Sequence, residues 1–208
     1  RIETDSTYDA GTTTQLMWGA RSDVGCVRPH NEDSYLVQSP LFCVCDGMGG
    51  HAAGEVASSI AVETIAKTAP QSADAARLAA AVEAANAAVI EAALNGLGKP
   101  GMGCTATCAY IENDTLAIAH VGDSRAYLLH EGTLIRVTRD HSYVEELVDA
   151  GEITADEARV HPNRSVITRA LGSDPAMYAD HFTLHIEEGD RLILCSDGLS
   201  SMIPDSDI

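Results

Sequence analysis

Large rings and positive charge are both scarce in this chain. Aromatic residues make up 4% of it, with one tryptophan and two phenylalanines, against 45% hydrophobic residues. The core is therefore expected to be aliphatic and alanine-rich, with Trp18, Phe42 and Phe182 as its few large rings. Lys and Arg number 13 against 31 Asp and Glu, a formal net charge of -18. That balance excludes a basic face that binds nucleic acid or anionic lipid by releasing counterions. No apolar run approaches the length of a membrane span, and the amino end lacks the pattern of a signal peptide. The cysteines, at 26, 43, 45, 104, 108 and 195, include no second pair with zinc spacing. They fall mostly inside apolar runs, as small buried hydrophobes of a reducing compartment do, so a cytoplasmic location is expected. The 208 residues suffice for one large domain. The chain begins at Arg1 rather than Met and stops at Ile208, so either end is expected to be a cut.

What the chain does have is carboxylates at the ends of apolar runs. Phe42-Cys43-Val44-Cys45-Asp46-Gly47, His120-Val121-Gly122-Asp123-Ser124 and Leu194-Cys195-Ser196-Asp197-Gly198 share this form, and a further pair, Glu32-Asp33, follows Val27-Arg28-Pro29-His30-Asn31. Carboxylates gathered at strand ends suit hard divalent cations such as Mg²⁺ and Mn²⁺. A glycine after the aspartate lets a main-chain carbonyl approach the same ion without a Cβ in the way. Asp-Gly after a strand is also the commonest hairpin signal. Here Asp46-Gly47 runs into a glycine-rich stretch and then a helical pattern, and no strand signal follows Asp197-Gly198. Neither reads as an ordinary hairpin. The remaining acidity reads as solubility, carried on helices.

Residues 1–14 are polar, threonine-rich and aperiodic, and a flexible lead is expected there. Strands are expected over 15–25, 36–37 and 41–45, the last two broken by Ser39-Pro40. Val56, Ile60, Ala61 and Ile65 have helical spacing up to Pro70. A second helix follows, capped by Ser72 with Asp74 in its first turn, and its apolar stripe is Leu78, Val82, Ala85 and Val89. Strands over 103–111 and 115–121 flank an Asn113-Asp114 turn, and strands over 125–129 and 134–137 flank Glu131-Gly132. Ser142 and Glu145 have capping-box spacing, which makes Asp140-His141 the lead into a short helix rather than a catalytic pair. Residues 151–175 read as a surface insertion, and 181–186 and 191–195 as the last strands. Two serial helices beside antiparallel hairpins imply an α+β layering. Gly47-Met48-Gly49-Gly50-His51-Ala52 fits a dinucleotide-binding fingerprint. It is set aside because Asp46 would face the pyrophosphate, no acidic strand end follows at the required distance, and the rest of the chain is antiparallel.

Taken in order, Arg28-x₃-Glu32-Asp33, Asp46-Gly47-Met48-Gly49-Gly50, Gly103-x-Thr105-Ala106-Thr107, Gly122-Asp123-Ser124-Arg125, Thr168-Arg169-Ala170-Leu171-Gly172 and Ser196-Asp197-Gly198 resemble the metal-dependent type 2C serine/threonine phosphatase family in its bacterial form. The resemblance runs from about Leu16 to the last residue. It implies an antiparallel β-sandwich flanked by helices on both faces, a mobile flap over 139–175, and a site for two Mn²⁺ or Mg²⁺ ions at one end. It implies hydrolysis of phosphoserine and phosphothreonine on proteins by a metal-bridging hydroxide, with no nucleophilic side chain required. By resemblance, Asp46 bridges the two ions, the Gly47 carbonyl serves one and Asp197 the other. Glu32 and Asp33 hold the second ion directly or through its waters, and Asp123 with Asp197 makes a weaker third site. Arg28 is expected to clamp the phosphoryl oxygens with its planar fork, the competing reading being an ion pair with Glu32. The implied partners are phosphorylated proteins in a bacterial kinase circuit, including a Ser/Thr kinase, and a monomer is expected.

The chain departs from the family pattern at two places. Met48 stands where many eukaryotic relatives carry histidine, so a metal-bound water is the expected proton donor, with His30 and His51 as scaffold residues. The family's closing Asp-Asn motif, on a further strand, has no counterpart up to Ile208. A phosphatase domain lacking its last strand and final metal-binding aspartate is therefore expected. The alternative is a catalytically weak module of the same fold that binds phosphoproteins or metal.

Overall fold

The structure is a computed structural model that describes residues 6–13, 15–50 and 53–208. Its first element is a hairpin of β1 (Ser6–Thr12) and β2 (Met17–Asp23), in register from Ser6 opposite Asp23 to Thr12 opposite Met17. This corrects the expected flexible lead over most of its length, while residues 1–5 and Thr14 lie outside the described residues. The correction has a tertiary cause. The Trp18 ring lies over Gly11, and its centroid is 6.0 Å from that of Phe42, while the Tyr35 hydroxyl donates to Asp9 Oδ2 at 2.6 Å. Aperiodic polarity in sequence does not reveal such docking.

β3 (Asp33–Gln38) and β4 (Leu41–Met48) are joined through a cis Ser39-Pro40 bond. Both strands extend beyond their apolar cores, so that Asp33 and Asp46 become strand residues. Helices α1 (Ala53–Thr68) and α2 (Ala75–Leu94) follow. Asp74, not Ser72, is the cap of α2, its side chain accepting from the Arg77 N–H. The expected stripe of Leu78, Val82, Ala85 and Val89 is buried throughout.

The remaining strands are β5 (Gly103–Cys104), β6 (Ala106–Glu112), β7 (Thr115–Val121), β8 (Arg125–His130), β9 (Thr133–Arg136), β10 (Asp180–His185) and β11 (Arg191–Cys195). Between β9 and β10 lie α3 (Tyr143–Asp149) and α4 (Ala155–Val160), and α5 (Asp197–Ser200) follows β11. Both expected hairpin turns form, with positive φ at Asn113 and at Glu131 and Gly132.

The larger antiparallel sheet has the order β10-β7-β6-β4-β3, with β5 beside β4, and the smaller has β11-β8-β9. One core lies between the larger sheet and the helix pair, where Cys43, Cys45, Cys104 and Cys108 pack with Ala57, Ile65, Leu78 and Val82. The second lies between the sheets, where Ala109, Leu116, Ile118 and Ala126 meet Phe182, Leu192 and Leu194. Small residues on the larger sheet let both layers approach closely. Trp18, Phe42 and Phe182 are only half-buried, and the wholly enclosed ring is Tyr127, whose hydroxyl donates to Asp205 Oδ1 at 2.8 Å.

The segment 139–175 is pinned at both ends. His141 N–H donates to Gly122 O, Cys104 and Leu171 exchange backbone bonds, and Asn86 on α2 holds Gly172 N–H and Asp174 O at 2.8 Å each. Ser142 caps α3, but Glu145 turns to Arg136 instead of completing a capping box. No helix among the described residues is long and apolar enough to cross a membrane.

Candidate active site

Four carboxylates converge where the strands of both sheets end. Asp46 lies directly opposite Asp33 in the β3–β4 register. Asp197 follows β11, and Asp123 sits in the turn between β7 and β8. Burial pushes the Asp46 carboxyl up to about 10, assisted by the charges of Asp33 and Asp197 and by hydrogen bonds shared with them. Burial also pushes Asp123 up to about 7, with Asp197 and Asp140 adding to it. Three acidic clusters far apart in sequence thus share one electrostatic environment.

The backbone around Asp46 is held by a single residue. Thr105 donates its N–H to Asp46 O at 2.9 Å, and its Oγ1 accepts the Asp46 N–H at 3.0 Å. Ser124 Oγ lies 2.7 Å from the same hydroxyl, tying the β7–β8 turn to β4. Gly122, with φ +106, makes this approach possible, since a Cβ there would lie 2.5 Å from Thr105 Cγ2. The Ser196 hydroxyl donates to Asp33 Oδ2 at 3.0 Å, so the residue before Asp197 orients the carboxylate opposite Asp46.

Gly47 N–H donates to Glu32 O at 3.1 Å, and the Ser58 hydroxyl donates to the same carbonyl at 2.7 Å. Gly54, in the first turn of α1, packs against the Gly47-Met48 backbone, where an added Cβ would lie 2.7 Å from Gly47 C and 2.9 Å from Glu32 Cδ. Glu32 is thereby pressed against the end of β4. Its side chain leans on α1, while Asp33 belongs to the aspartate group.

Behind the site lies a buried polar layer. Arg125 grips Asp140 with Nε 2.9 Å from Oδ1 and Nη2 2.7 Å from Oδ2. His141 Nδ1 accepts the Gly122 N–H at 2.9 Å, which leaves Nε2 to donate to Asp180 Oδ2 at 2.7 Å. Asp140 and His141 are thus structural anchors of the loop bearing Asp123. A cleft of about 350 Å³ borders the site at Asp33, running from Arg21 and Asp23 past Val44 to Ser196 and Leu199.

Asp33, Asp46, Asp123 and Asp197 are brought together, with Gly47 and Glu32 beside them. Arg28 is exposed in the loop between β2 and β3, and among the described residues it makes neither a salt bridge nor a side-chain hydrogen bond. The competing ion pair with Glu32 does not form. His30 is likewise exposed, and His51 and Ala52 lie outside the described residues. Thr105, Ser124 and Ser196 stood within the quoted motifs without a role. Gly54 was missed, and its only signal was helical spacing immediately after the glycine run.

The donor set fits divalent cations. Its oxygens are hard, its carboxyls resist joint ionisation, and Asp123 Oδ1 is buried without a hydrogen-bond partner among the described residues. A cation of charge two relieves both the repulsion and the unsatisfied oxygen.

The family model described as "Protein phosphatase 2C" matches residues 20–208. The chain is 43% identical over 205 residues to the serine/threonine protein phosphatase PstP of Mycobacterium tuberculosis, covering 96% of this chain and 39% of that protein. It is 38% identical over 200 residues to the serine/threonine phosphatase stp of Listeria monocytogenes, covering 90% of this chain and 79% of that one. The chain therefore spans about two fifths of the length of the mycobacterial relative. The crystal structure of Mycobacterium tuberculosis PstP superposes with a TM-score of 0.82 at 39% identity, over 97% of this chain and 82% of that one. The PstP catalytic domain in complex with two manganese ions superposes with a TM-score of 0.79 at 36% identity, over the same shares. The ordered motifs, the two-sheet architecture and the acidic site agree with these relationships, and the chain belongs to the protein phosphatase 2C family.

Proposed function

We propose that this chain hydrolyses phosphoserine and phosphothreonine on proteins, using two Mn²⁺ or Mg²⁺ ions held by the aspartate group. The observation that carries this reading is the convergence of Asp33 and Asp197 on the buried Asp46, where burial first and the two neighbouring carboxylates second push its carboxyl up to about 10. The PstP domain superposing at a TM-score of 0.79 contains two manganese ions, which supports the same assignment. When bound, such ions supply an activated water and neutralise the phosphoryl oxygens.

In this reading Asp46, the Gly47 carbonyl, Asp197, Glu32 and Asp33 would together hold the two ions. Asp123 with Asp197 forms a weaker third position, to which the orphaned Asp123 Oδ1 lends support. Thr105 holds the Asp46 backbone and Ser196 orients the Asp33 carboxylate before any ion arrives, which leaves less reorganisation to binding. Arg28, unpaired among the described residues, takes the phosphoryl oxygens of the substrate in its fork. The partners are phosphoproteins of a bacterial Ser/Thr kinase circuit, the kinase included. A reducing cytoplasm suits the five buried free cysteines, and the protein acts as a monomer.

The test is hydrolysis of a phosphothreonine peptide during Mn²⁺ titration, with Asp197→Asn as the control. Saturable Mn²⁺-dependent release of phosphate that is lost in the variant is the expected result. Binding of Mn²⁺ without turnover in the parent chain would replace the enzyme reading with that of a binding module.

A further inference from the structure

A second group of ligand-bearing side chains lies at the end of the sandwich away from the aspartates. His130 ends β8, Glu131 occupies the β8–β9 turn, and Glu187 lies in the connection from β10 to β11. One imidazole nitrogen and one oxygen from each carboxylate lie within 4.8 Å of one another. Along β8 this group is at the opposite terminus from Arg125, which neighbours the aspartate site. We propose that His130, Glu131 and Glu187 form a separate site for a borderline transition ion of the Zn²⁺ class.

The argument rests on a residue that is not among the three ligands. Asp190 is half-buried, with its side chain 8% exposed, and its Oδ1 lies 2.6 Å from His130 Nδ1. Its Oδ2 accepts the Glu187 N–H at 2.8 Å. One carboxylate therefore sets both the imidazole tautomer and the backbone that carries Glu187. With Nδ1 donating to Asp190, the Nε2 lone pair points away from the fold toward Glu131 Oε2 at 3.8 Å and Glu187 Oε2 at 3.9 Å. A carboxylate behind a ligating histidine is the usual support of a zinc site. Metal bonds of about 2.0–2.1 Å place two donors of one tetrahedral ion roughly 3.3 Å apart. The two glutamates, 81% and 55% exposed, have the freedom to close that difference.

His185 approaches from the other side, Nε2 at 3.8 Å from Glu187 Oε1, and adds a second imidazole at the rim. Imidazole with carboxylate favours Zn²⁺ over Mg²⁺ and Mn²⁺, the reverse of the all-oxygen aspartate group. An ion here would link the β8–β9 turn to the β10–β11 connection and so join the two sheets at this end. Without an ion, a proton on His130 serves the same carboxylates, and the bond to Asp190 raises its pKa.

Zn²⁺ is titrated at pH 7 into the intact chain, following the histidine side-chain nitrogens by NMR with diamagnetic Mg²⁺ in excess, and bound zinc by equilibrium dialysis with Mn²⁺ in excess. The expected result is a saturable shift at His130 Nε2 with one zinc bound. His130→Ala should weaken that binding by at least about tenfold, and Asp190→Asn by about ten- to a hundredfold. Glu187→Gln, an exposed change that should leave the fold intact, is expected to weaken it as well. An unchanged His130 resonance at millimolar Zn²⁺, or equal zinc affinity in Glu187→Gln and the parent, overturns the proposal and leaves an ion-pair cluster. Neither readout depends on phosphatase activity, so the site stands or falls separately from the proposed function.

Discussion

Asp33 and Asp46 are direct cross-strand partners at the first position of β3, two like charges where a sheet ordinarily places a complementary pair. With no cation present the arrangement is a cost. The Asp46 carboxyl is raised from 3.8 to about 10, so its contribution to stability is present at low pH and is lost as pH rises through that interval. Asp46→Asn removes the charge and keeps the shape. In chelator at pH 7 the variant should be more stable than the parent by on the order of 1–3 kcal/mol in urea unfolding. Saturating Mn²⁺ should reverse the order, because binding stabilises only the parent. A variant that is less stable than the parent in chelator would show that the aspartates are not in conflict.

Gly54→Ala tests the contact between α1 and the end of β4. The added methyl meets backbone at 2.7 Å on Gly47 C and Met48 N, and backbone cannot rotate aside. A loss of about 1–3 kcal/mol is expected, together with weaker Mn²⁺ binding as Gly47 and Glu32 are pushed apart. Unfolding curves and calorimetric Mn²⁺ titration read the two effects separately. Wild-type Mn²⁺ affinity in a destabilised variant would place Gly54 in packing alone.

Much of this site was legible because strand ends and glycines are marked locally. Asp46-Gly47, Asp123 and Asp197 were recognisable at the ends of apolar runs, and the layering followed from hairpins beside serial helices. What stayed hidden depends on contacts between distant segments. Thr105 reads as one more β-branched strand residue until its hydroxyl meets Asp46. The β1 strand carries no periodic pattern, since its order comes from Trp18 over Gly11 and Tyr35 on Asp9. Ser72 and Asp74 are both good caps in sequence, and only the backbone at Asp74 turns the side chain toward Arg77 N–H. Tyr127 was overlooked because its hydroxyl disguises a core position that Arg125 and Asp205 make tolerable.

His120 gives the fold an acid limit that is independent of the aspartates. Its ring is sealed between the larger sheet and the segment before α3, with Nε2 donating to Arg139 O at 2.9 Å and Nδ1 accepting from the Thr107 hydroxyl at 2.9 Å. Burial, reinforced by nearby His141, lowers its pKa from 6.5 to about 4. The unfolded chain thus takes up a proton that the folded chain refuses, and stability falls as pH drops from 6.5 toward 4, by at most about 1.4 kcal/mol per pH unit. His120→Gln should flatten that slope while lowering stability at pH 8, as followed by urea unfolding across the range. An unchanged slope would mean that another group sets the limit.

Arg28 offers the sharpest separation of function from fold. It is exposed, and among the described residues no carboxylate pairs with it, so its removal should alter stability by no more than about 0.5 kcal/mol. A guanidinium that meets phosphoryl oxygens through two parallel bonds should nevertheless matter to the substrate. Arg28→Ala is expected to lower kcat/KM for a phosphothreonine peptide by roughly ten- to a hundredfold, and to weaken inhibition by inorganic phosphate in step. Arg28→Lys should recover only part of the loss, because an ammonium supplies the charge without the fork. Full recovery by lysine would reduce the role to a point charge. Unaltered kinetics in Arg28→Ala would assign phosphate recognition to the bound ions and the main chain around them.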